Sequence, residues 1–235
     1  MTALGFMKTI QMPSERTWDR VFFQRLKAAA ERGVDILIEP GSGAQSRILI
    51  EAGLEKAYRI GMDIDPYGTG NQHISAFSIG DISRMPFKSE TADLIVSQWV
   101  LEHVEKPIEA ANECYRVLKS GGRFISVLPN VANPAFLFAK YTPDWVHSKI
   151  RGLTMPEEYA ENCLTYYRVN TPWKLRKIFE SAGFKKEMIY CTDQAYTYLA
   201  FSKLLNVLGL LCGRITDIKP LRWLKGAMVA EFVKP

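Results

Sequence analysis

Short apolar runs, most of them closed by glycine, proline or an acidic residue, constrain this chain more than any other feature. They occupy residues 34–38, 57–62, 74–79, 92–97 and 123–128. Runs of this length read as buried parallel strands. Parallel neighbours need crossover connections, and helical patterns lie between most of the runs. The expected fold class is therefore α/β: a Rossmann-like, doubly wound, mostly parallel seven-stranded sheet with a helical cap insertion.

The helical segments have their own signals. Residues 14–32 read as a helix, with Ser14 as N-cap, Gly33 as stop, and Trp18, Val21, Phe22, Leu26 and Ala29 on one stripe. Residues 44–53 and 104–118 read as helices, the second stopped by Ser120-Gly121-Gly122, the turn before the strand at 123–128. The connection 64–72 contains Pro66, Gly68 and Gly70, which is too broken for a full crossover helix. Thr171-Pro172 caps a further helix, with proline at its first position, ending at Ala182-Gly183. Residues 184–191 and 227–233 complete the strands. The expected layout is one domain over 1–235. Within it, 34–130 forms the cofactor-binding core and 131–170, with Pro134, Pro143 and Pro156, the cap. Residues 171–235 return to the sheet and carry an apolar helix at 195–213.

Composition narrows the function. The net charge is +5, from 30 basic and 25 acidic residues, without the dense basic stripe of a nucleic-acid binder. Cys114, Cys163, Cys191 and Cys212 form no C-x-x-C pair, and His73, His103 and His147 are scattered, so no metal site is expected. Reduced thiols and the lack of a signal-peptide pattern suit a cytoplasmic protein.

The first strand ends in Glu39-Pro40-Gly41-Ser42-Gly43-Ala44-Gln45. A glycine-rich turn between strand and helix lets a nucleotide approach the backbone closely. Two cofactors suit it, NAD and S-adenosylmethionine. Ser46 stands where the dinucleotide fingerprint has its last glycine. Glu39 would repel a pyrophosphate but suits a ligand carrying an ammonium and a sulfonium. Asp63 or Asp65, after the second strand, can accept ribose hydroxyls, and Asp63 is nearer the strand end. Asp81 can accept from an adenine amino group, Ile82 can offer a backbone amide, and Ile64 an apolar surface. Alternatively, Asp81 caps a turn.

With Gly80-Asp81-Ile82-Ser83-Arg84-Met85-Pro86-Phe87, the run Ala92-Asp93-Leu94-Ile95-Val96-Ser97, Val100-Leu101-Glu102-His103-Val104 and Arg116-Val117-Leu118-Lys119-Ser120-Gly121-Gly122 in order, the chain resembles a known family. It is similar to class I S-adenosylmethionine-dependent methyltransferases of the small-molecule, bacterial-type subgroup, over residues 34–130. A looser similarity runs through Thr165 to Pro172 and Ser181 to Phe184. The resemblance implies that Glu39, Gly41 and Gly43 hold the methionyl part of the cofactor and Asp63 the ribose. It gives the adenine to Asp81 and Ile82, and places the Gln98 backbone at the methionyl end. Gln45 departs from the family, which usually has a third glycine there.

The expected activity is methyl transfer to a small-molecule acceptor at oxygen or nitrogen. A nicotinamide-dependent oxidoreductase and a non-catalytic S-adenosylmethionine-binding protein are the alternatives. His103 is the candidate base, or a histidine bonded to backbone within a helix's first turn. His147, Tyr166, Tyr167 and Arg168 are candidates for orienting the acceptor, Arg168 by gripping a carboxylate or phosphate. No nucleic-acid partner is expected, since Ser97-Gln98-Trp99-Val100 lacks the Asn/Asp-Pro-Pro-aromatic motif of base methyltransferases. The apolar helix is buried between the sheet and the cap, or else residues 195–225, with Arg214, Lys219, Arg222 and Lys225, offer a peripheral membrane or a dimer contact.

Overall fold

The computed structural model describes residues 17–43, 47–134, 164–192, 207, 211 and 213–235. In chain order the elements are α1 (Trp18–Ala30), β1 (Ile36–Pro40), α2 (Arg47–Glu51), β2 (Tyr58–Asp63), β3 (Ala76–Ile79) and β4 (Ala92–Gln98). Then follow α3 (Pro107–Val117), β5 (Leu118–Pro129), α4 (Pro172–Ser181), β6 (Lys185–Thr192) and β7 (Ala227–Val233). Single 3-10 turns occupy Pro66–Gly70, Leu101–His103 and Lys219–Leu224. The broken 64–72 connection is thus the short helical turn that its proline and glycines allow.

The seven strands form one sheet in the order β3-β2-β1-β4-β5-β7-β6. Strands β1 to β5 pair in parallel, and β7 runs antiparallel to both β5 and β6. Period-two alternation sends side chains to two cores. Ile38, Ile95, Phe124, Leu128, Met228 and Phe232 face α3 and α4. Leu37, Leu94, Val96, Ile125, Val127 and Val229 face α1 and α2. On the first face Phe179 stacks on Phe232 at 4.7 Å and lies 4.7 Å from Phe124. Each such buried ring contributes about 1.5–3 kcal/mol by leaving water. On the second face, fully buried Glu231 of β7 is paired with Arg25 of α1 and Arg123 of β5.

Three local expectations need correction. Ser120-Gly121-Gly122 does not precede β5 but lies inside it. Gly121 N–H donates to Lys234 O (2.8 Å) and Lys234 N–H to Gly122 O (3.0 Å), so the glycine offset is carried by cross-strand bonds. Thr171 occupies the N-cap position of α4 without a side-chain cap bond. Lys225 is buried and paired with Asp217 at 3.0 Å, so it does not belong to a solvent-facing basic rim. Ser14, His147, Cys163, Cys212 and most of the cap and apolar helix lie outside the described residues. Among the described residues, no helix is long and apolar enough to cross a membrane. Cys114 and Cys191 are free thiols whose pKa burial pushes upward, Cys191 to about 12.

Candidate active site

Parallel register brings the ends of β1 to β4 to one rim. Glu39 pairs with Gly61, Pro40 with Met62, and Asp63 with Ile79. Beyond β1 the chain must turn sharply, and the backbone is left-handed at Gly41 (φ 70°) and Gly43 (φ 48°). Gly41 has a second requirement: a Cβ there would meet Val100 Cγ2 at 2.2 Å. The turn is tied to β2, since Gly41 N–H donates to Met62 O (2.7 Å). Asn71, buried after the Pro66–Gly70 turn, donates from Nδ2 to Gly43 O (3.3 Å). Sequence reading missed Asn71 because its partner is distant in sequence.

The acidic groups gather around this turn. Glu39 is buried at the end of β1, and Gln98 Nε2 donates to its Oε1 at 3.3 Å. Gln98 therefore meets Glu39 through its side chain, an interaction that the backbone role expected of it did not include. Asp63 Oδ2 accepts the Gly43 N–H at 3.3 Å, which sets the carboxylate against the glycine turn. Asp81 Oδ1 accepts the Ser83 N–H at 2.7 Å, so one oxygen closes a turn as the capping alternative foresaw. Ile82 is buried in the core and Ile64 is exposed at the rim. Arg116 fixes the loop beyond Asp81, donating to Phe87 O (2.8 Å) and Met85 O (3.2 Å) while paired with Glu113. That pairing holds the Glu113 carboxyl below the usual range.

The donor set tests which nucleotide fits. Pyrophosphate seeks N–H groups and cations at such a turn. Here carboxylates of Glu39 and Asp63 flank it, which fits hydroxyls and cationic groups. Carboxylate oxygens have acceptor capacity beyond the single bond that Asp63 Oδ2 makes to the turn.

Beyond β4 the expected acceptor residues cluster. His103 Nδ1 lies 2.9 Å from Leu164 O. Glu102 O accepts the N–H groups of Tyr166 (2.8 Å) and Tyr167 (3.1 Å). Arg168 donates to Glu105 O (2.7 Å) and stands 5.3 Å over the Tyr166 ring. The 164–168 segment is thereby strapped across the loop after β4. Arg168 is engaged by Glu105, and the His103 ring by the backbone of the distant 164–168 segment. Trp18 meets Trp99 edge-on at 5.2 Å and packs against the α1-side core. The sequence reading also passed over Glu102. Its side chain is 5% exposed, and burial pushes its carboxyl up to about 8.

Residues 38–126 match the model of the family described as "Methyltransferase domain", Methyltransf_11. Over these residues the chain is similar to methyltransferase domains. Of the two nucleotides that the turn left open, this similarity favours S-adenosylmethionine. Among curated relatives is a ubiquinone/menaquinone biosynthesis C-methyltransferase of Ruegeria sp. (strain TM1040). It is 46% identical over 55 residues, 22% of each chain. A demethylmenaquinone methyltransferase of Symbiobacterium thermophilum is 24% identical over 197 residues, covering 74% of this chain and 78% of that one. The matched stretches span between 22% and 50% of the length of the first two curated relatives. Among solved structures, an S-adenosylmethionine-dependent methyltransferase from Mesorhizobium loti superposes with a TM-score of 0.57 at 14% identity. That match covers 89% of this chain and 96% of the other.

Proposed function

We propose that the chain transfers the methyl group of S-adenosylmethionine to a small organic acceptor, and that the acceptor atom is a carbon of an electron-rich ring. The observation that carries the transferase reading is the set of carboxylates, Glu39, Asp63 and Asp81, at successive strand ends around the Gly41–Gly43 turn. In this reading Glu39, held by Gln98, faces the cationic methionyl end. Asp63 accepts the ribose hydroxyls. Asp81, through its second oxygen, and the Ile82 amide read the adenine, while exposed Ile64 covers it. The bound cofactor supplies an activated methyl group, so the protein's task is chiefly positioning.

The names of the curated relatives favour carbon over the oxygen or nitrogen expected from sequence. The curated relatives are named for C-methylation in quinone biosynthesis or for demethylmenaquinone. His103, the candidate base, has Nδ1 engaged by Leu164 O, which suits holding the 164–168 strap. Tyr166 and Tyr167, exposed on that strap, offer aromatic faces to a flat acceptor. The test is transfer of labelled methyl to a demethylmenaquinol, a catechol and a primary amine in parallel. Label in the quinol ring is expected. Label in the catechol or amine alone would move the reaction to oxygen or nitrogen. Binding of S-adenosylhomocysteine without transfer to any of a broad acceptor panel would favour the non-catalytic alternative.

A further inference from the structure

Trp173, at the start of α4, and Trp223, in the Lys219–Leu224 turn, meet edge-on with ring centroids 5.5 Å apart. Both stay open to solvent, at 52% and 44% exposure. Two indoles in contact normally exclude water; a pair left half-exposed marks a surface built to meet something apolar. The same surface stretch exposes Ile215 (55%) and Ile218 (57%). The same two segments carry exposed cations, Arg214, Lys219 and Arg222, with Lys174 next to Trp173 in the chain. The acid of this stretch, Asp217, is bound to buried Lys225, so it does not offset the rim.

The patch is held firmly. Asn130, just beyond β5, donates from Nδ2 to Trp223 O (2.6 Å) and Lys225 O (2.8 Å). Asn133 Nδ2 donates to Leu224 O (2.7 Å). Asn170, two residues before Pro172, donates to Pro129 O (3.0 Å). These asparagines fasten both tryptophan-bearing segments to the carboxyl end of β5, on the rim that holds the glycine turn and the strap.

We propose that this face docks the protein on an anionic membrane surface. Tryptophans seat at the headgroup level, Ile215 and Ile218 enter the acyl boundary, and the cations meet anionic lipid. A nucleic acid would use the cations and indoles but would leave both isoleucines facing charged phosphate. The contact is interfacial. Its link to catalysis rests on the quinone-type acceptor reading: an acceptor dissolved in the bilayer would reach the strap from the docked side.

The test is co-sedimentation of the full chain with vesicles of phosphatidylcholine alone or with 30% phosphatidylglycerol, in parallel with calorimetry of S-adenosylhomocysteine. Binding to the anionic vesicles is expected, with loss in high salt because the Debye length shortens. Binding should fall at least tenfold in K219E/R222E, since each basic residue near the surface contributes several-fold. W173S/W223S should also lose binding while nucleoside binding persists, which separates lost docking from lost fold. Wild type remaining in solution with anionic vesicles would overturn the proposal. So would unchanged binding by the charge-reversed chain, tight binding to poly(U) without vesicle binding, or a concentration-dependent dimer abolished by W173S/W223S. Nucleoside binding without acceptor turnover would count against the proposed reaction and leave the docking result intact.

Discussion

Replacing Gly41 and Gly43 separately with alanine separates two reasons for glycine in one turn. Both residues are left-handed, at φ 70° and 48°. An alanine held there costs about 1–2 kcal/mol in backbone sterics. Part of that, about 0.4–1 kcal/mol, is returned because alanine stiffens the unfolded chain. G43A has nothing within 4 Å of its new Cβ, so its net loss should be about 1 kcal/mol or less. G41A also drives its Cβ into Val100 Cγ2 at 2.2 Å. Val100 is β-branched and cannot swing freely, so overpacking adds about 1–3 kcal/mol. The predicted total for G41A is about 2–4 kcal/mol. Urea unfolding of the cofactor-free chain, followed by tryptophan fluorescence, measures both. G41A/V100A should recover most of the excess, because the clashing methyl is gone. Equal losses for the two single variants, or no recovery in the double one, would refute the steric argument.

E231Q should lower stability by about 3–5 kcal/mol in the same unfolding assay, because Arg25 and Arg123 lose a fully buried partner. Glu102 gives a pH signature. With an ordinary value of 4.5 and a folded value of about 8, the folded protein holds a proton that the unfolded chain releases between those values. Stability should therefore fall as pH rises through that window and level off above it. E102Q should flatten this slope in urea titrations at pH 5, 7 and 9, and an unchanged slope would assign it elsewhere. R116M removes the guanidinium that fixes Met85 and Phe87 and holds the Glu113 carboxyl down. The stability that Glu113 contributes above its ordinary pKa, lost on acidification, should shrink in R116M, where the Met85 N–H and Arg84 remain, and nucleoside affinity should drop several-fold by calorimetry.

Much of the fold is legible because a parallel sheet writes its strands as continuous apolar runs. The 227–233 strand coincides with β7, and the helix opened by Pro172 coincides with α4 to within a residue. β5 is longer at its start because Lys234, over a hundred residues away, pairs with Gly121 and Gly122. No local signal carries that information. The acidic strand ends are equally legible, since strand ends and turns are local. What the sequence hides are side-chain partnerships across the rim: Gln98 to Glu39, Asn71 to Gly43 and His103 to Leu164. His103 illustrates the limit. Its position after β4 suggests a base, and only the approach of the 164–168 segment reveals a carbonyl against its ring. Glu102 has the opposite history: one residue of the Val100–Val104 stretch in sequence, a buried carboxyl in the fold.

The central claim is that carboxylates at the strand ends hold an adenosine bearing a sulfur substituent. Titration calorimetry of S-adenosylhomocysteine into wild type and D63N tests it most directly. Saturable binding by wild type is predicted, weakened at least tenfold in D63N, because the amide loses charge and acceptor capacity at the ribose. Equal affinity in the two proteins, or no heat with the nucleoside while NADH binds, would contradict it.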